Sequence, residues 1–279
     1  MGIDRSQVLD IFVSECKAHG GTLGDAYEEA RVQLLDDRNK LPLVLGKSED
    51  GSIMVRDLSK SSGICIVGLA RMGKTWFLRS VLSQLSLFTD TNLQLYVYDA
   101  KVFGCDTQEV PFAHLEGFGT TAEALLEGLR GIVDMARHRK SFIEGKGYSS
   151  ADEYREAHSD IDMPYLCVAV DETVSFIVDL KDKGLYTEFV SCMQELMGYA
   201  YLGVHLLLCT THAFVLLEDL NMDGMEFIRM ESEDGTIHLE GERVQNGEVC
   251  RILGKPYILS DSSEGTLEML HFCDTLYLK

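Results

Sequence analysis

One segment, Gly68-Leu-Ala-Arg-Met-Gly73-Lys74-Thr75, constrains the fold more than any other part of the chain. It follows a short apolar run, residues 64–67, and precedes a helical pattern that begins at residue 75. A glycine-rich turn between a strand and a helix lets successive backbone N–H groups and the helix N-terminus surround a phosphate. The segment therefore predicts a phosphate-binding loop on a domain in which strands and helices alternate.

The side chains of such a loop have separate expected roles. Lys74 is expected to reach the outer phosphates of a nucleotide, and the Thr75 hydroxyl to hold Mg²⁺. Three positions carry bulkier side chains than many such loops do, but their backbone N–H groups remain available for the phosphates. The predicted nucleotide-binding residues are Gly68, Leu69, Ala70, Arg71, Met72, Gly73, Lys74, Thr75 and Trp76.

A second apolar run, residues 165–170, ends in the acids Asp171 and Glu172. In phosphate-loop enzymes, a later strand of the same sheet supplies the acid that organises the metal. We therefore expect Asp171 to orient Mg²⁺ through its water shell and Glu172 to accept a proton from the water that attacks the γ-phosphate. A strand ending in solvated acids is the alternative for this run alone, and the phosphate loop favours the functional interpretation.

The remaining chain predicts an α/β fold with a mostly parallel central sheet flanked by helices, because short apolar runs alternate with longer helical patterns. Residues 1–40 predict an N-terminal helical appendage. Residues 41–45 and 53–57 predict a hairpin, and the segment from residue 224 onward predicts C-terminal β hairpins that extend the sheet. The predicted strands are residues 64–67, 93–98, 165–170 and 204–210, and the predicted helices are residues 75–87, 121–143 and 185–201.

Composition limits the possible partners. No apolar run approaches the length of a membrane-spanning helix. The eight cysteines form no CxxC pair, which favours a reduced, cytoplasmic setting. The formal net charge of -20 repels phosphate backbones at long range, which disfavours a simple basic DNA-binding patch. A ring that gathers basic groups in a channel is still compatible with this charge.

Two further strands end in polar residues, where open α/β sheets bind ligands. One ends at Asp99, and the other ends at Thr210 and Thr211. Either threonine could sense the γ-phosphate or could cap the following turn. For His205, inside the apolar run, a core or interface histidine is favoured over a catalytic one, whereas His212 is left open. No His or Cys spacing resembles a zinc site.

The order of these elements resembles the motor domain of the FtsK/SpoIIIE family of DNA translocases, in the FtsK and HerA branch of RecA-like P-loop ATPases. The likeness runs from about residue 41 to the C-terminus and separates an appendage, residues 1–40, from a motor domain, residues 41–279. Besides the phosphate loop, it rests on Leu45-Gly-Lys-Ser-Glu-Asp-Gly51, Asp57-Leu-Ser-Lys60, Asp99-Ala-Lys101, Arg137-His-Arg139, Val170-Asp-Glu172 and the segment from Ala200 to Thr211.

This resemblance implies a hexameric ring that binds double-stranded DNA in a central pore and moves it by hydrolysing ATP with Mg²⁺. Related rings of type VII secretion move proteins instead. Where the family has Ala-Thr-Gln-Arg-Pro, this chain has Cys209-Thr-Thr-His-Ala213, so Thr211 takes the place of the glutamine sensor. Arg229, with Arg243 behind it, is the candidate arginine finger toward a neighbouring subunit, and a solvated surface arginine is the alternative.

Two function classes follow. The first is a Mg²⁺-dependent ATPase motor that translocates double-stranded DNA in segregation, conjugative transfer or packaging. The second is an ATP-binding module that docks a protein substrate or partner in a secretion or transfer machine, with weak or no hydrolysis. The net charge and the lost glutamine and arginine favour the module, whereas Lys74, Thr75, Asp171 and Glu172 favour the motor. The expected location is the cytoplasm, with membrane association only through a partner or another segment.

Overall fold

The computed structural model describes residues 5–48, 51–88, 93–100, 115–158, 163–212, 219–233, 236–245 and 248–256. Within these ranges three helices precede the first strand, the middle of the chain mixes strands and helices, and four consecutive strands come last. The helices are α1 (Arg5–Ala18), α2 (Leu23–Glu29), α3 (Arg31–Leu34), α4 (Lys74–Phe88), α5 (Ala122–Gly145), α6 (Ala151–Ala157), α7 (Thr173–Asp182) and α8 (Tyr186–Met197). The strands are β1 (Pro42–Ser48), β2 (Ile53–Asp57), β3 (Gly63–Gly68), β4 (Leu93–Asp99), β5 (Leu115–Gly119), β6 (Tyr165–Asp171), β7 (Val204–Thr210), β8 (Met225–Glu233), β9 (Thr236–Gln245) and β10 (Glu248–Pro256).

The strands form one sheet in the order β2-β1-β10-β9-β8-β3-β7-β6-β4-β5. From β8 to β5 the neighbouring strands run parallel, and from β8 to β2 they run antiparallel. β6 and β7 are buried along their whole length, as expected for parallel strands with both faces covered. The structure therefore confirms the predicted α/β fold with a mostly parallel sheet.

Each face of the sheet has its own apolar core, because successive strand residues point to opposite faces. Cys167 and Ala169 of β6 pack on one side, in a cluster with α4 and the N-terminal helices. Val168 and Val170 pack on the other side, against α5, α7 and α8. Because β3, β7 and β6 run parallel side by side, their carboxyl ends lie at one common edge of the sheet.

The N-terminal helices pack over β1 and α4 rather than standing apart from the sheet. Phe12 of α1 meets Tyr27 of α2 edge-on, with ring centroids 4.9 Å apart. The Tyr27 hydroxyl donates to Gln84 of α4 at 2.8 Å, and the Gln84 amide exchanges two hydrogen bonds with the backbone of Val44 in β1. Gln84 thus joins three elements. The division of the chain at residue 40 stays a prediction.

The structure also differs from the sequence expectation in several elements. The strand β5 and the helices α6 and α7 have no counterpart among the predicted elements. The predicted helix over residues 185–201 ends at Met197, and a 3-10 turn, Ala200–Leu202, follows it. The C-terminal hairpins β8–β9 and β9–β10 extend the sheet as predicted, and β8 in addition pairs parallel with β3, which the sequence did not indicate. None of the described helices is both long and apolar enough to cross a bilayer.

Candidate functional site

The phosphate-loop segment connects β3 to α4 at the carboxyl edge of the parallel strands. Arg71 and Gly73 adopt left-handed backbone conformations, with φ of 67° and 77°. A Cβ at Gly68 would lie 2.5 Å from the Met230 carbonyl oxygen of β8, so only glycine fits there. The Lys74 ammonium group donates to the Leu69 carbonyl oxygen at 3.0 Å, so its side chain folds back onto the loop. The sequence-predicted loop residues are thus brought together around Lys74.

Thr75 joins this loop to the end of β6. Its hydroxyl donates to one carboxylate oxygen of Asp171 at 2.6 Å, and the Glu172 backbone N–H donates to the other at 2.9 Å. Asp171 is only 1% exposed, and this burial is the main reason why its pKa lies above the usual range of a carboxyl group. Asp99, opposite Asp171 in the β4–β6 register, raises this pKa further.

Glu172 has a left-handed backbone conformation, with φ of 51° and ψ of 45°, at the N-terminal boundary of α7. A non-glycine residue pays about 1 kcal/mol or more for this conformation, and such strain concentrates at functional sites. The tight turn lets α7 begin directly after β6. It keeps Glu172 at the same edge of the sheet as Thr75 and Asp171.

The end of β7 lies at the same edge, because Thr210 pairs in register with Val67 at the end of β3. Thr210 is buried, and its hydroxyl accepts from the His212 backbone N–H at 3.2 Å. It therefore caps the turn after the strand. The Thr211 hydroxyl lies 2.9 Å from Nδ1 of His212, so these two side chains contact each other.

Arg229 lies on the other side of β3, where it also pairs in register with Val67. Its side chain is 54% exposed and makes an ion pair with Glu231 of the same strand at 3.9 Å. Arg243 lies on β9, opposite Cys250 of β10. The structure brings Lys74, Thr75, Asp171 and Glu172 to one site. It places Thr211 directly after β7 and Arg229 on β8, the two strands that flank β3.

His205 is not part of this site, since it lies near the beginning of β7, at the opposite edge of the sheet. The side chain is fully buried, and Nδ1 donates to the Ser61 carbonyl oxygen at 2.8 Å. Nε2 has no hydrogen-bond partner among the described residues. Burial lowers the pKa of His205 to about 4. The geometry is that of a core histidine, as the sequence favoured.

Sequence reasoning assigned no separate role to Asp99, although the structure places it beside Asp171. Its side chain is fully buried on β4, directly across from Asp171. The signal was present in the sequence, because both acids end apolar runs and the carboxyl ends of parallel strands meet at one edge. Two acids at adjacent strand ends create a region of negative potential that a bound cation would offset.

The site residues fit a Mg²⁺ ion held together with a nucleotide. A hydroxyl and a carboxylate lie within 2.6 Å of each other at the end of the loop, and both are oxygen ligands of the kind that Mg²⁺ prefers. The buried charge of Asp171 would be stabilised by a cation. Among the described residues, no group of three or more His, Cys, Asp and Glu is placed to hold a metal by itself. The ion would therefore depend on phosphate oxygens and water, as Mg²⁺ commonly does.

No protein-family model matches the chain. The chain is 26% identical over 156 residues to the DNA translocase FtsK of Chlorobaculum tepidum. The aligned segment covers 50% of this chain and 18% of that protein. The chain thus corresponds to less than a fifth of the length of this relative.

Many solved structures share the fold, among them the following three. The pCW3 conjugation coupling protein TcpA with ATPgS aligns with a TM-score of 0.66 at 15% identity, over 85% of this chain and 73% of TcpA. EssC (ATPases 2 and 3) from Geobacillus thermodenitrificans aligns with a TM-score of 0.64 at 15% identity, over 86% and 50% of the two chains. The type VII secretion ATPase EccC of Thermomonospora curvata aligns with a TM-score of 0.58 at 18% identity, over 79% and 29%. The chain therefore has the RecA-like P-loop fold of FtsK/SpoIIIE-type motor domains and resembles them in sequence, as its motifs predicted.

Proposed function

We propose that this chain is a Mg²⁺-dependent ATPase that works as the motor subunit of a ring translocating double-stranded DNA. The observation that carries the proposal is the direct hydrogen bond between Thr75 of the phosphate loop and Asp171 of β6. This contact between the first turn of α4 and the end of β6 brings together the two groups needed to position a nucleotide-bound cation. The relatives named above are a DNA translocase, a conjugation coupling protein and secretion ATPases.

Each site residue has a role in this proposal. The backbone N–H groups from Gly68 to Trp76 surround the phosphates, and Lys74 leaves the Leu69 carbonyl oxygen to bind the outer phosphate oxygens. Mg²⁺, when bound with ATP, would neutralise charge on the phosphates. Thr75 and Asp171 would hold the ion and its water shell. Glu172 would accept the proton of the attacking water.

Two further residues would sense or complete the site. Thr211, directly after β7, would contact the γ-phosphate in place of the glutamine of the family. Arg229 is exposed on β8 and would reach the nucleotide of a neighbouring subunit in a homo-oligomeric, hexameric ring. Such a ring would act in the cytoplasm.

The second candidate function is an ATP-binding module that docks a protein in a secretion or transfer machine. A specific observation favours it: the Thr211 hydroxyl contacts His212, so the family's glutamine and arginine are replaced by a pair that contact each other. The net charge of -20 also disfavours DNA as cargo outside a basic pore.

ATP turnover with and without long double-stranded DNA separates these functions. The native chain is compared with Lys74→Ala and Glu172→Gln at low and moderate salt, and Lys181→Ala, an exposed lysine of α7, serves as the matched control. A motor shows DNA-stimulated turnover that both site variants lose and the control keeps. Tight ATP binding by native protein without turnover under either condition would contradict the motor and support the docking module.

A further inference from the structure

Trp76 is the exposed residue at the start of a buried helix. From Phe77 to Leu87, every residue of α4 is buried, whereas Trp76 is 38% exposed. It is also the single tryptophan of the chain. A large aromatic side chain is thus presented to solvent in the first turn of α4, immediately after the loop residues Lys74 and Thr75.

The ring of Trp76 is held in place by a neighbour on the same helix. The guanidinium carbon of Arg79 lies 4.6 Å from the ring centroid, in a cation–π contact. Arg79 is itself only 2% exposed, so its position is fixed by packing. With the guanidinium over the ring, Trp76 still keeps more than a third of its surface exposed. The side chain is therefore pre-oriented before any ligand arrives.

The position of Trp76 relative to the loop indicates what it would contact. In a phosphate loop the lysine reaches the outer phosphates, while the inner phosphates lie against the backbone N–H groups of the loop. A nucleoside attached to the innermost phosphate then leaves the loop beside the first turn of the helix. Trp76 stands in that turn, two residues after Lys74.

We propose that Trp76 stacks on the base of the bound nucleotide and makes the site favour purine over pyrimidine triphosphates. This inference rests on the proposed nucleotide binding of the same site. An aromatic ring accepts any base, but a purine offers a larger π surface than a pyrimidine. Loss of one base–aromatic stack weakens binding by about 5- to 150-fold.

The emission of this single tryptophan is a direct reporter of the contact. The native chain is titrated with ATP, UTP and tripolyphosphate in the presence of Mg²⁺, and calorimetry on the same samples gives the dissociation constants. We expect ATP to change the emission strongly, UTP to change it less, and tripolyphosphate to bind with little change. Calorimetry is then repeated on Trp76→Ala, Trp76→Phe and Tyr201→Ala. Tyr201→Ala is the control, because it removes an aromatic side chain whose exposure, 39%, matches that of Trp76.

We expect Trp76→Ala to bind ATP about 5- to 150-fold more weakly, to lose the preference for ATP over UTP, and to bind tripolyphosphate as the native chain does. Trp76→Phe should restore most of the preference, and Tyr201→Ala should behave as native. Unchanged ATP affinity and preference in Trp76→Ala would overturn the stacking role while leaving nucleotide binding intact. Native protein that binds neither ATP nor tripolyphosphate would overturn both this inference and the proposed function.

Discussion

Acidification from neutral pH to pH 5 is expected to destabilise the fold, because over this range His205 takes up a proton only in the unfolded chain. The ring is fully buried, and burial lowers its pKa from 6.5 to about 4. In the unfolded chain the imidazole takes up a proton near pH 6.5, whereas in the folded chain it stays neutral until about pH 4. The stabilisation is therefore complete above pH 6.5 and is lost as the pH falls, because the unfolded state then binds more protons.

The size of the effect follows from the shift. Each pH unit between the two pKa values corresponds to about 1.4 kcal/mol. From pH 7.5 to pH 5, about one and a half of these units are crossed, so His205 should remove about 2 kcal/mol from the free energy of unfolding. The Ser61 carbonyl oxygen accepts from Nδ1, which fixes the neutral tautomer and leaves Nε2 as the atom that would take the proton.

Urea unfolding at pH 7.5 and pH 5 measures this change. His205→Asn keeps a donor near the position of Nδ1 but removes the titrating ring. His138→Asn, at an exposed position of α5, controls for the loss of a histidine. Because carboxyl groups also titrate, the comparison is the difference in pH dependence between native and variant. We expect His205→Asn to lose about 2 kcal/mol less than the native chain over this range. An equal loss in both proteins would refute the reasoning.

Two further predictions concern packing, and both are measured by urea unfolding at pH 7.5. Gln84→Leu should lower the free energy of unfolding by about 2–4 kcal/mol, because it leaves the Tyr27 hydroxyl and the Val44 backbone groups without their buried partner. Gln194→Ala, on the exposed face of α8, should lower it far less. Similar losses in the two variants would contradict the role of Gln84. Gly128→Ala should lower the free energy of unfolding by about 1–3 kcal/mol, since the new Cβ would lie 1.6 Å from the Tyr98 hydroxyl oxygen. A Cβ at Gly131 would have no atom within 4 Å, so Gly131→Ala should stabilise α5 by up to about 1 kcal/mol. Equal effects of the two glycine exchanges would show that helix propensity, not the clash, decides the result.

Local patterns were sufficient for the elements that carry the phosphate site. The loop between residues 68 and 75 is defined by glycine positions and its flanking strand and helix, and β6 is a continuous apolar run. Such signals depend on neighbouring residues in sequence. The edge position of Asp171 followed from them, because parallel strands end together.

Other elements lacked such a signal. β5, Leu115–Gly119, contains two glycines and shows no alternation of apolar and polar residues. Glycine is required at these two positions because Tyr96 and Tyr98 of β4 fill the space that a Cβ would occupy. α7 starts directly after β6 through the left-handed turn at Glu172. No glycine or proline marks this boundary in the sequence. For α6 a signal existed: Ser150 accepts from the Glu153 backbone N–H, a helix-capping pattern visible in the sequence.

The place of β8 could not be inferred from local patterns. Its pairing with β3 is a contact between residues far apart in the chain, and it is recognisable in the structure through the close approach of Met230 to Gly68. Strand order in a sheet depends on such distant pairings, which short-range periodicity does not encode. The neighbourhood of Arg229 and the phosphate loop was therefore found only in the structure.

The pairing of β10 with β1 has a consequence for how the chain acquires its fold during synthesis. Gly46 pairs with Pro256, so β1 is synthesised long before β10 and receives its second neighbour only after that strand has emerged. Until then, the backbone edge of β1 that will face β10 stays open to other chains. The pairing of β10 with β1 joins the hairpin β1–β2 to the rest of the sheet. We expect this pairing to be among the last and slowest steps of folding.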